Sequence, residues 1–581
     1  MYCGDETGAF IGDVGSHTAR FGYGGEDCPK VVVPSAVYEH FESNGVDKNS
    51  DIKNTKRVRF SAPVSLMNFP PNDCFRISPK SGDGGASDPS KFGGDGSGGD
   101  VGFIPVYQSL NSNEQFQDST GISQDGLIQD MDAWACLWEH SYDVLCVRGN
   151  RKHTLGHKHS LSENIASSQL IQDMPIDHPL LAVDSTSTVV ETSLHIANDC
   201  EKQRALMLET LFESLSAPAA YLAPSAMLSS FAYGRQTALV VDVGHTGTRI
   251  TPIVDGYVLK NGSCRSGRGG KWLCSVQQSV LEGSWRGNVD TINKWNGWKL
   301  WDKGGAPPCR ENGVIPRYIA NSKFRQGSRQ DKKIQLLRQC PFHSMTIHEA
   351  MYEMITSPHI MSLDIENHHH GDASTVPFCG YGGIESDDKS NQESDNMEIV
   401  HAEEETEKPS NIHDEEFNER KQYELPDGTI VDLKKTRAGA DLCRIPELLF
   451  SGELPSFVQP HTENKEEYFK TMMPIQHLIH QSLDIILDAD VRKELCSSIL
   501  LTGASSLLPG MGKKISLDLG EILPSTYKCK VIASKYDVER KYAAWIGGSI
   551  LSSLGSFQQL WLSRKEYDEY GAVLGLQRFK S

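Results

Sequence analysis

Ala9-Phe10-Ile11-Gly12-Asp13-Val14-Gly15-Ser16 and, 229 residues further on, Ala238-Leu239-Val240-Val241-Asp242-Val243-Gly244-His245 follow one pattern. Each is an apolar run of strand length that ends in Asp-Val-Gly and passes into small or hydroxyl residues: Ser16 and Thr18 in the first, Thr246, Gly247 and Thr248 in the second. A hairpin of this kind points backbone N–H groups at a polyphosphate. Its glycine lets the backbone approach closely, and its aspartate holds a hydrated divalent cation. Taken singly, either copy reads more simply as a turn that ends a strand. Two copies with one Asp-Val-Gly core predict a duplicated lobe that grips a single nucleotide from both sides.

A third segment strengthens that reading. Leu500-Leu501-Thr502-Gly503-Ala504-Ser505-Ser506 is another aliphatic run entering a small-residue turn, the kind of backbone surface on which an adenine or ribose lies. Ala238–Val243 and Ser498–Leu501 have the composition of buried strands in an α/β sheet. Two helices are predicted from apolar spacing. Ala205–Leu215 places Leu208, Leu211, Phe212 and Leu215 on one face, and Trp545–Trp561 does so with Ile550, Leu554, Phe557 and Trp561.

The chain has 581 residues, too many for one core, yet only 38% are hydrophobic and the mean hydropathy is -0.41. Folded segments diluted by polar insertions account for both. Ordered stretches are expected at Met1–Glu39, Gly121–Lys260, Pro316–Ile365 and Tyr423 to the end. Three inserts lie between them. The first, 41–111, holds the Gly/Ser/Asp tract Lys80–Asp100, whose small apolar surface predicts disorder. The second, 261–312, is Gly-rich but contains Trp272, Trp285, Trp295, Trp298 and Trp301, so it is expected to pack on the body or dock on a partner. The third, 366–421, holds His368-His369-His370, read as a solvated loop. It also holds fourteen Asp or Glu against two Lys between Glu385 and Glu419, so -12 of the net -19 sits there.

The acidic balance disfavours direct capture of nucleic-acid phosphates. Fourteen cysteines without a Cys-x-x-Cys pair indicate neither a zinc ribbon nor a thioredoxin motif, and fit a reducing compartment. No basic start and no apolar run of about 18 residues is present, so no signal peptide or membrane helix is expected.

Several segments resemble the actin superfamily. Gly12-Asp13-Val14-Gly15-Ser16, with Arg20 and Phe21-Gly22-Tyr23-Gly24-Gly25-Glu26-Asp27-Cys28-Pro29-Lys30, is similar to the opening of actins. Glu539–Trp561, followed by Ser563-Arg564-Lys565-Glu566-Tyr567-Asp568-Glu569, resembles the actin carboxyl end almost residue for residue. Gly4–Ala9, Val314–Tyr318 with Ser322-Lys323, Tyr423–Gly428 and Ile445–Phe450 resemble the nuclear branch of the family, whose members serve in chromatin complexes.

The resemblance implies an α/β, two-lobed fold of duplicated ribonuclease-H-like domains with a nucleotide cleft between them. The first lobe would span 1–237, with 540–581 returning to it, and the second 238–539. ATP would lie on Gly15, Ser16, His17, Arg20, Gly244, His245, Thr246, Gly247, Glu349, Gly503, Ala504, Ser505 and Lys541. Asp13 and Asp242 would hold Mg2+ through water. Where the family orients its attacking water with a glutamine and a histidine, this chain has Ser225 and Arg249, so hydrolysis is expected to be weak or absent and no residue is assigned as catalytic. Arg20 stands where actins carry lysine, Leu508 replaces an aromatic near the adenine, and Ala504 replaces a glycine.

For partners, the resemblance implies an apolar groove at Phe231, Ala232, Gly234, Ile550, Leu551, Leu554, Ser556 and Leu560. It would receive the helicase-SANT-associated helix of a remodelling ATPase or scaffold, beside nuclear actin. The expectation is a nuclear structural subunit of chromatin-remodelling and histone acetyltransferase complexes. Histones are possible partners on the charge of the third insert alone, and filament formation is not expected. An active ATPase of cytoskeletal type and a nucleotide-free actin-like scaffold are the alternatives.

Overall fold

β1 (Phe10–Val14) is buried at every position, as a strand covered on both faces must be. It turns back antiparallel into β2 (Thr18–Tyr23), which pairs with β3 (Val31–Pro34). This first hairpin begins a computed structural model that describes residues 8–42, 56–63, 100–105, 128, 131–147, 176–186, 194–282, 314–315, 341–356, 363, 422–426, 430–432, 442, 445–452 and 472–579. A separate three-stranded sheet follows, with β4 (Ala36–Glu42) between β5 (Lys56–Pro63) and β6 (Asp100–Pro105). The expected first insert, 41–111, is corrected accordingly: it contributes two strands, because Lys56–Pro63 and Asp100–Pro105 carry short β-forming runs beside the Gly/Ser tract. Residues 80–99 lie outside the described residues.

α1 (Met131–Tyr142) buries Trp134, Leu137 and Trp138 against β1 and β2, with Phe10 and Phe21 packed on Trp138 at ring distances of 5.9 and 5.2 Å. β7 (Leu180–Asp184) joins β1 in parallel. α2 (Leu194–Glu209) runs into a wider turn at Thr210–Ser214 that carries Leu211 and Phe212 to the core, as the apolar spacing predicts. β8 (Ala219–Pro224) extends the sheet, and α3 (Ser225–Ala232) leaves it.

The second sheet starts with β9 (Ala238–Val243) and its hairpin partner β10 (Thr248–Val254), flanked by β11 (Tyr257–Val258) and β12 (Cys264–Ser266). α4 (Gly270–Glu282) and α5 (Pro341–Thr356) cover it. Of the second insert, 261–312, residues 261–282 are described as part of the fold, and Trp272 packs on the core as the packing alternative expects. Its glycines allow close backbone packing. Trp285, Trp295, Trp298, Trp301, the three-histidine tract and the acidic run lie outside the described residues.

A small hairpin, β13 (Gln422–Glu424) with β14 (Ile430–Asp432), is followed by α6 (Ile475–Ile485) and α7 (Ala489–Ser497). Asp488 caps α7 by accepting from the N–H groups of Asp490 and Val491 at 2.8 and 3.3 Å. β15 (Ile499–Thr502) enters the second sheet parallel to β9, and after α8 (Met511–Ile522) β16 (Val531–Ile532) closes its edge. α9 (Asp537–Lys541) packs on the turn after β15, where the Gly503 N–H donates to the Arg540 carbonyl at 3.1 Å, and α10 (Ala543–Ser552) returns to the first lobe. The helix expected over 545–561 is corrected here, since Leu554 is extended and a separate turn covers Gly555–Gln559. β17 (Leu562–Ser563) pairs with β8, and Ser563 with Glu566 forms a capping box that starts α11 (Arg564–Arg578).

The first sheet runs β17-β8-β7-β1-β2-β3 and the second β11-β10-β9-β15-β16. α3 lies between them: its Leu228 packs with Ile11, Leu181 and Trp545, and its Ala226 with Val240 and Leu500 of the second sheet. One short helix thus shares its two faces between the lobes, beside the cleft.

Candidate functional site

The two Asp-Val-Gly segments form one hairpin twice. In β1–β2 the Gly15 N–H donates to the Thr18 carbonyl at 3.1 Å, and Asp13 faces Arg20. In β9–β10 the Gly244 N–H donates to the Gly247 carbonyl at 3.0 Å, and Asp242 faces Arg249. A tight turn that spends its own carbonyl on its first glycine leaves the remaining N–H groups at the tip directed away from the sheet, which suits an anion.

The second hairpin is braced by a turn that sequence reasoning missed. Gly270 and Lys271 donate their N–H groups to the carbonyls of Gly244 and His245 at 3.0 and 2.7 Å, and Thr248 Oγ1 donates to the Arg268 carbonyl at 2.7 Å. A Cβ on Gly247 would stand 2.3 Å from the Ser266 oxygen, and one on Gly269 2.4 Å from the Gly247 nitrogen, so these backbones interlock only as glycines. The buried Arg268 anchors the turn, its guanidinium donating to the carbonyls of Leu448 and Ser451 at 2.6 Å while lying 5.7 Å from the Trp272 ring. The available signal was the run Ser266-Gly267-Arg268-Gly269-Gly270, whose glycines permit close backbone approach.

The third predicted turn meets both. Gly503 adopts φ +92°, and a Cβ there would lie 2.5 Å from Asp242 Oδ1. Ser505 Oγ donates to the Gly244 carbonyl at 3.2 Å, tying the base turn to the second hairpin.

One cleft brings together every residue expected at the nucleotide: Gly15, Ser16, His17 and Arg20; Gly244, His245, Thr246 and Gly247; Glu349; Gly503, Ala504 and Ser505; and Lys541. Asp13, Asp242, Ser225 and Arg249 line it too. Ser185, Thr251 and Tyr352 also line it and were not foreseen, because nothing in their local sequence marks them.

Charge within the cleft is arranged in crossed pairs. Arg20 Nη1 meets Asp13 Oδ2 at 2.7 Å, Nη2 donates to Thr18 Oγ1 at 3.1 Å, and the guanidinium lies 5.3 Å from the Tyr542 ring. Lys541 lies 5.6 Å from the same ring, its pKa lowered by burial and by Arg20. His17 Nε2 reaches Glu349 Oε2 at 2.9 Å, and its ring stands 4.6 Å from that of His245. Burial, with His17, His348 and Lys271 nearby, holds the His245 pKa well below its ordinary value. Burial also pulls His348 down to about 3, with Lys271 and His17 adding to the effect. The Asp242 pKa is raised by burial; Arg249 opposes this, while Asp13 adds to it.

These residues fit a metal-bound polyphosphate. Arg20 Nε and His245 Nδ1 are buried polar atoms without a protein hydrogen-bond partner. Asp13 and Asp242 repel each other across the cleft, and a shared divalent cation relieves that repulsion.

At the expected partner face, Ile550, Leu554 and Leu560 are 43%, 46% and 48% exposed, a grouping of large apolar side chains that folding leaves in water. Gly234 and Ser556 are exposed, and Phe231 and Ala232 are half-buried. Leu551 is different: it is buried in the cluster that holds Trp545 and Leu228, so it belongs to the core rather than the groove. Among the described residues no helix is long and apolar enough to cross a membrane.

Comparison with known proteins agrees with this architecture. The family described as actin matches residues 4–295 and 385–580. The chain is 29% identical to actin-related protein 4 of Arabidopsis thaliana over 575 residues, covering 98% of both chains. It is 27% identical to actin-related protein 4 of Oryza sativa subsp. indica, again over 98% of each. With actin-related protein 4 of Emericella nidulans the identity is 24%, over 100% of this chain and 98% of the relative. The two-lobed fold, the doubled hairpin and the family match lead to one conclusion: the chain belongs to the actin family.

Proposed function

We propose that this protein is an ATP-binding, non-hydrolysing actin-related subunit that acts structurally in nuclear chromatin-remodelling and histone acetyltransferase complexes. The observation that carries the first half is the convergence of both hairpins, the Gly503 turn, Glu349 and Lys541 on one cleft. Gly15, Ser16, Gly244, His245 and Thr246 would hold the phosphates by backbone and side-chain contacts, while Glu349, Gly503, Ala504 and Lys541 would hold the nucleoside. Asp13 and Asp242 would hold Mg2+ through water, and the ion would neutralise phosphate charge.

Ser225 and Arg249 line the same cleft at the positions where the family orients water. Serine is too short to take over the reach of glutamine, and Arg249 is a fixed cation opposite Asp242. A ligand that stays bound between two lobes adds stability by mass action without turnover. The partner half rests on Ile550, Leu554 and Leu560, an exposed apolar set suited to an amphipathic helix such as the helicase-SANT-associated segment, with nuclear actin alongside.

The test begins with denaturing the purified protein and chromatographing what is released. ATP in near one-to-one amount, with no phosphate production over hours, supports the reading. ADP accumulation with steady phosphate release favours an active cytoskeletal-type ATPase, and no nucleotide at all favours a bare scaffold. Affinity purification from nuclei, with identification of the co-purifying chains, tests the complex and the location together.

A further inference from the structure

Two cysteines far from the cleft meet across the second lobe. Cys496 lies in the last turn of α7 and Cys529 on the approach to β16, with 32 residues between them. The segments run side by side: the Lys530 N–H donates to the Cys496 carbonyl at 2.9 Å, and the Ile499 N–H to the Lys530 carbonyl at 3.0 Å. Both are free thiols, placed side by side by the backbone pairing and close enough to perturb each other's titration. Cys496 is fully buried, whereas Cys529 is partly exposed between the exposed Lys528 and Lys530.

We propose that Cys496 and Cys529 form a dithiol pair that a hydroperoxide oxidises to an intramolecular disulfide, with Cys529 as the attacking sulfur and Cys496 as the resolving one. Contact with Cys496 lowers the pKa of the more exposed Cys529 thiol, which favours its thiolate, while the buried Cys496 thiol is pushed up. Other buried cysteines of the lobe differ: burial raises Cys264 to about 11, and burial with Glu349 nearby raises Cys274 further, which leaves both protonated.

The chemistry balances. The Cys529 thiolate attacks one peroxide oxygen, the O–O bond breaks, and a sulfenic acid forms with hydroxide as leaving group. The Cys496 sulfur then attacks the Cys529 sulfur, expelling the second oxygen as water once the Cys496 proton is transferred. Two thiols lose two electrons and two protons, and one hydroperoxide is reduced to two hydroxyl products, water in the case of hydrogen peroxide. The disulfide joins the end of α7 to the entry of β16, the two segments flanking the start of β15, which carries the Gly503 turn into the cleft. The bond would therefore staple the strand that supports the base side.

The test uses the full-length protein and hydrogen peroxide as the probe. After brief exposure the sample is unfolded in denaturant containing excess alkylating agent and cut with glutamyl endopeptidase, which releases Leu495–Glu521 and Ile522–Glu539 with one cysteine each. Mass spectrometry without reduction is expected to find these peptides joined with the loss of two hydrogens, and separate again after a dithiol reductant. In Cys529→Ser the joined species disappears and Cys496 stays alkylatable. Because Cys529 is partly exposed, that variant retains the buried partner and the fold. Recovery of both wild-type peptides unjoined and alkylated, at a peroxide dose that oxidises glutathione, overturns the proposal. So does stepwise oxidation of Cys529 to the sulfinic acid without the cross-link.

Discussion

Arg20 closes an ion pair on Asp13 at 2.7 Å across the first hairpin. The second hairpin repeats the placement, with Arg249 opposite Asp242 in the same register. Each lobe thus presents an aspartate covered by a cross-strand arginine to one cleft. The doubling makes Arg249 the positional counterpart of Arg20, and under the proposed function it stands where a water-orienting histidine would be needed.

Restoring that chemistry is the most direct test of the assignment. The double variant Ser225→Gln/Arg249→His is expected to release phosphate from ATP at least about tenfold faster than the parent, since a positioned water-activating group contributes that much or more. A malachite-green assay on the two proteins, each confirmed to contain nucleotide, decides it; equal rates would show that something beyond these two residues blocks turnover.

Gly503 has no room for a side chain between Asp242 Oδ1 and the Val243 carbonyl. Gly503→Ala is expected to cost about 1–3 kcal/mol through strain at its positive φ and to lower the nucleotide content of the purified protein. Chemical denaturation together with nucleotide release measures both, and an unchanged nucleotide content would remove the turn from the site.

Asp184 and Arg204 form a buried ion pair at 3.0 Å, and Arg204 also donates to the Phe579 carbonyl at 2.7 Å. Arg204→Met removes the cation from Oδ2 and leaves a buried carboxylate that still accepts from Thr186 at Oδ1. The expected loss is about 3–5 kcal/mol. Asp184→Asn/Arg204→Met should recover part of it, and urea unfolding of the three proteins checks the order.

His348 supplies a pH dependence whose sign is fixed. In the folded protein it titrates near 3, and in the unfolded chain near 6.5, so between those values the unfolded state binds more protons. Its contribution is fully present above pH 6.5 and declines as pH falls toward 3. His348→Gln is expected to flatten the fall of melting temperature between pH 6.5 and 4.5. Parallel slopes for the two proteins would assign the acid sensitivity to other groups.

Leu554 is exposed and makes no core contact of the kind that holds Leu551. Leu554→Asp is expected to change stability by no more than about 0.5 kcal/mol, as for most surface substitutions. It should nevertheless weaken binding of a helicase-SANT-associated peptide by about tenfold or more, the effect of losing one hot-spot contact. Calorimetry with that peptide gives the answer, and undiminished binding would place the helix on another face.

The two hairpins are legible in local chemistry alone. Each aliphatic run reads as a buried strand, Asp-Val-Gly ends it in a tight turn, and repetition of the motif implies two lobes. Residue type also marks Asp13, Asp242 and the Gly503 turn. The remaining features depend on partners far along the chain. Ser266–Gly270 is glycine-rich in the manner of a linker, and only its interlock with Gly247 makes it a brace. Leu551 and Leu554 share one apolar pattern, yet the break after Ser552 turns one into the core and leaves the other in water. Cys496 and Cys529 are two among fourteen until β15 and β16 align their segments. Strands, turns and the charged groups they carry are thus written in the amino-acid order, because they depend on neighbours along the chain. Which glycines touch, which leucines are covered and which thiols meet is settled by the packing of the two sheets, because those contacts join residues that the chain itself keeps apart.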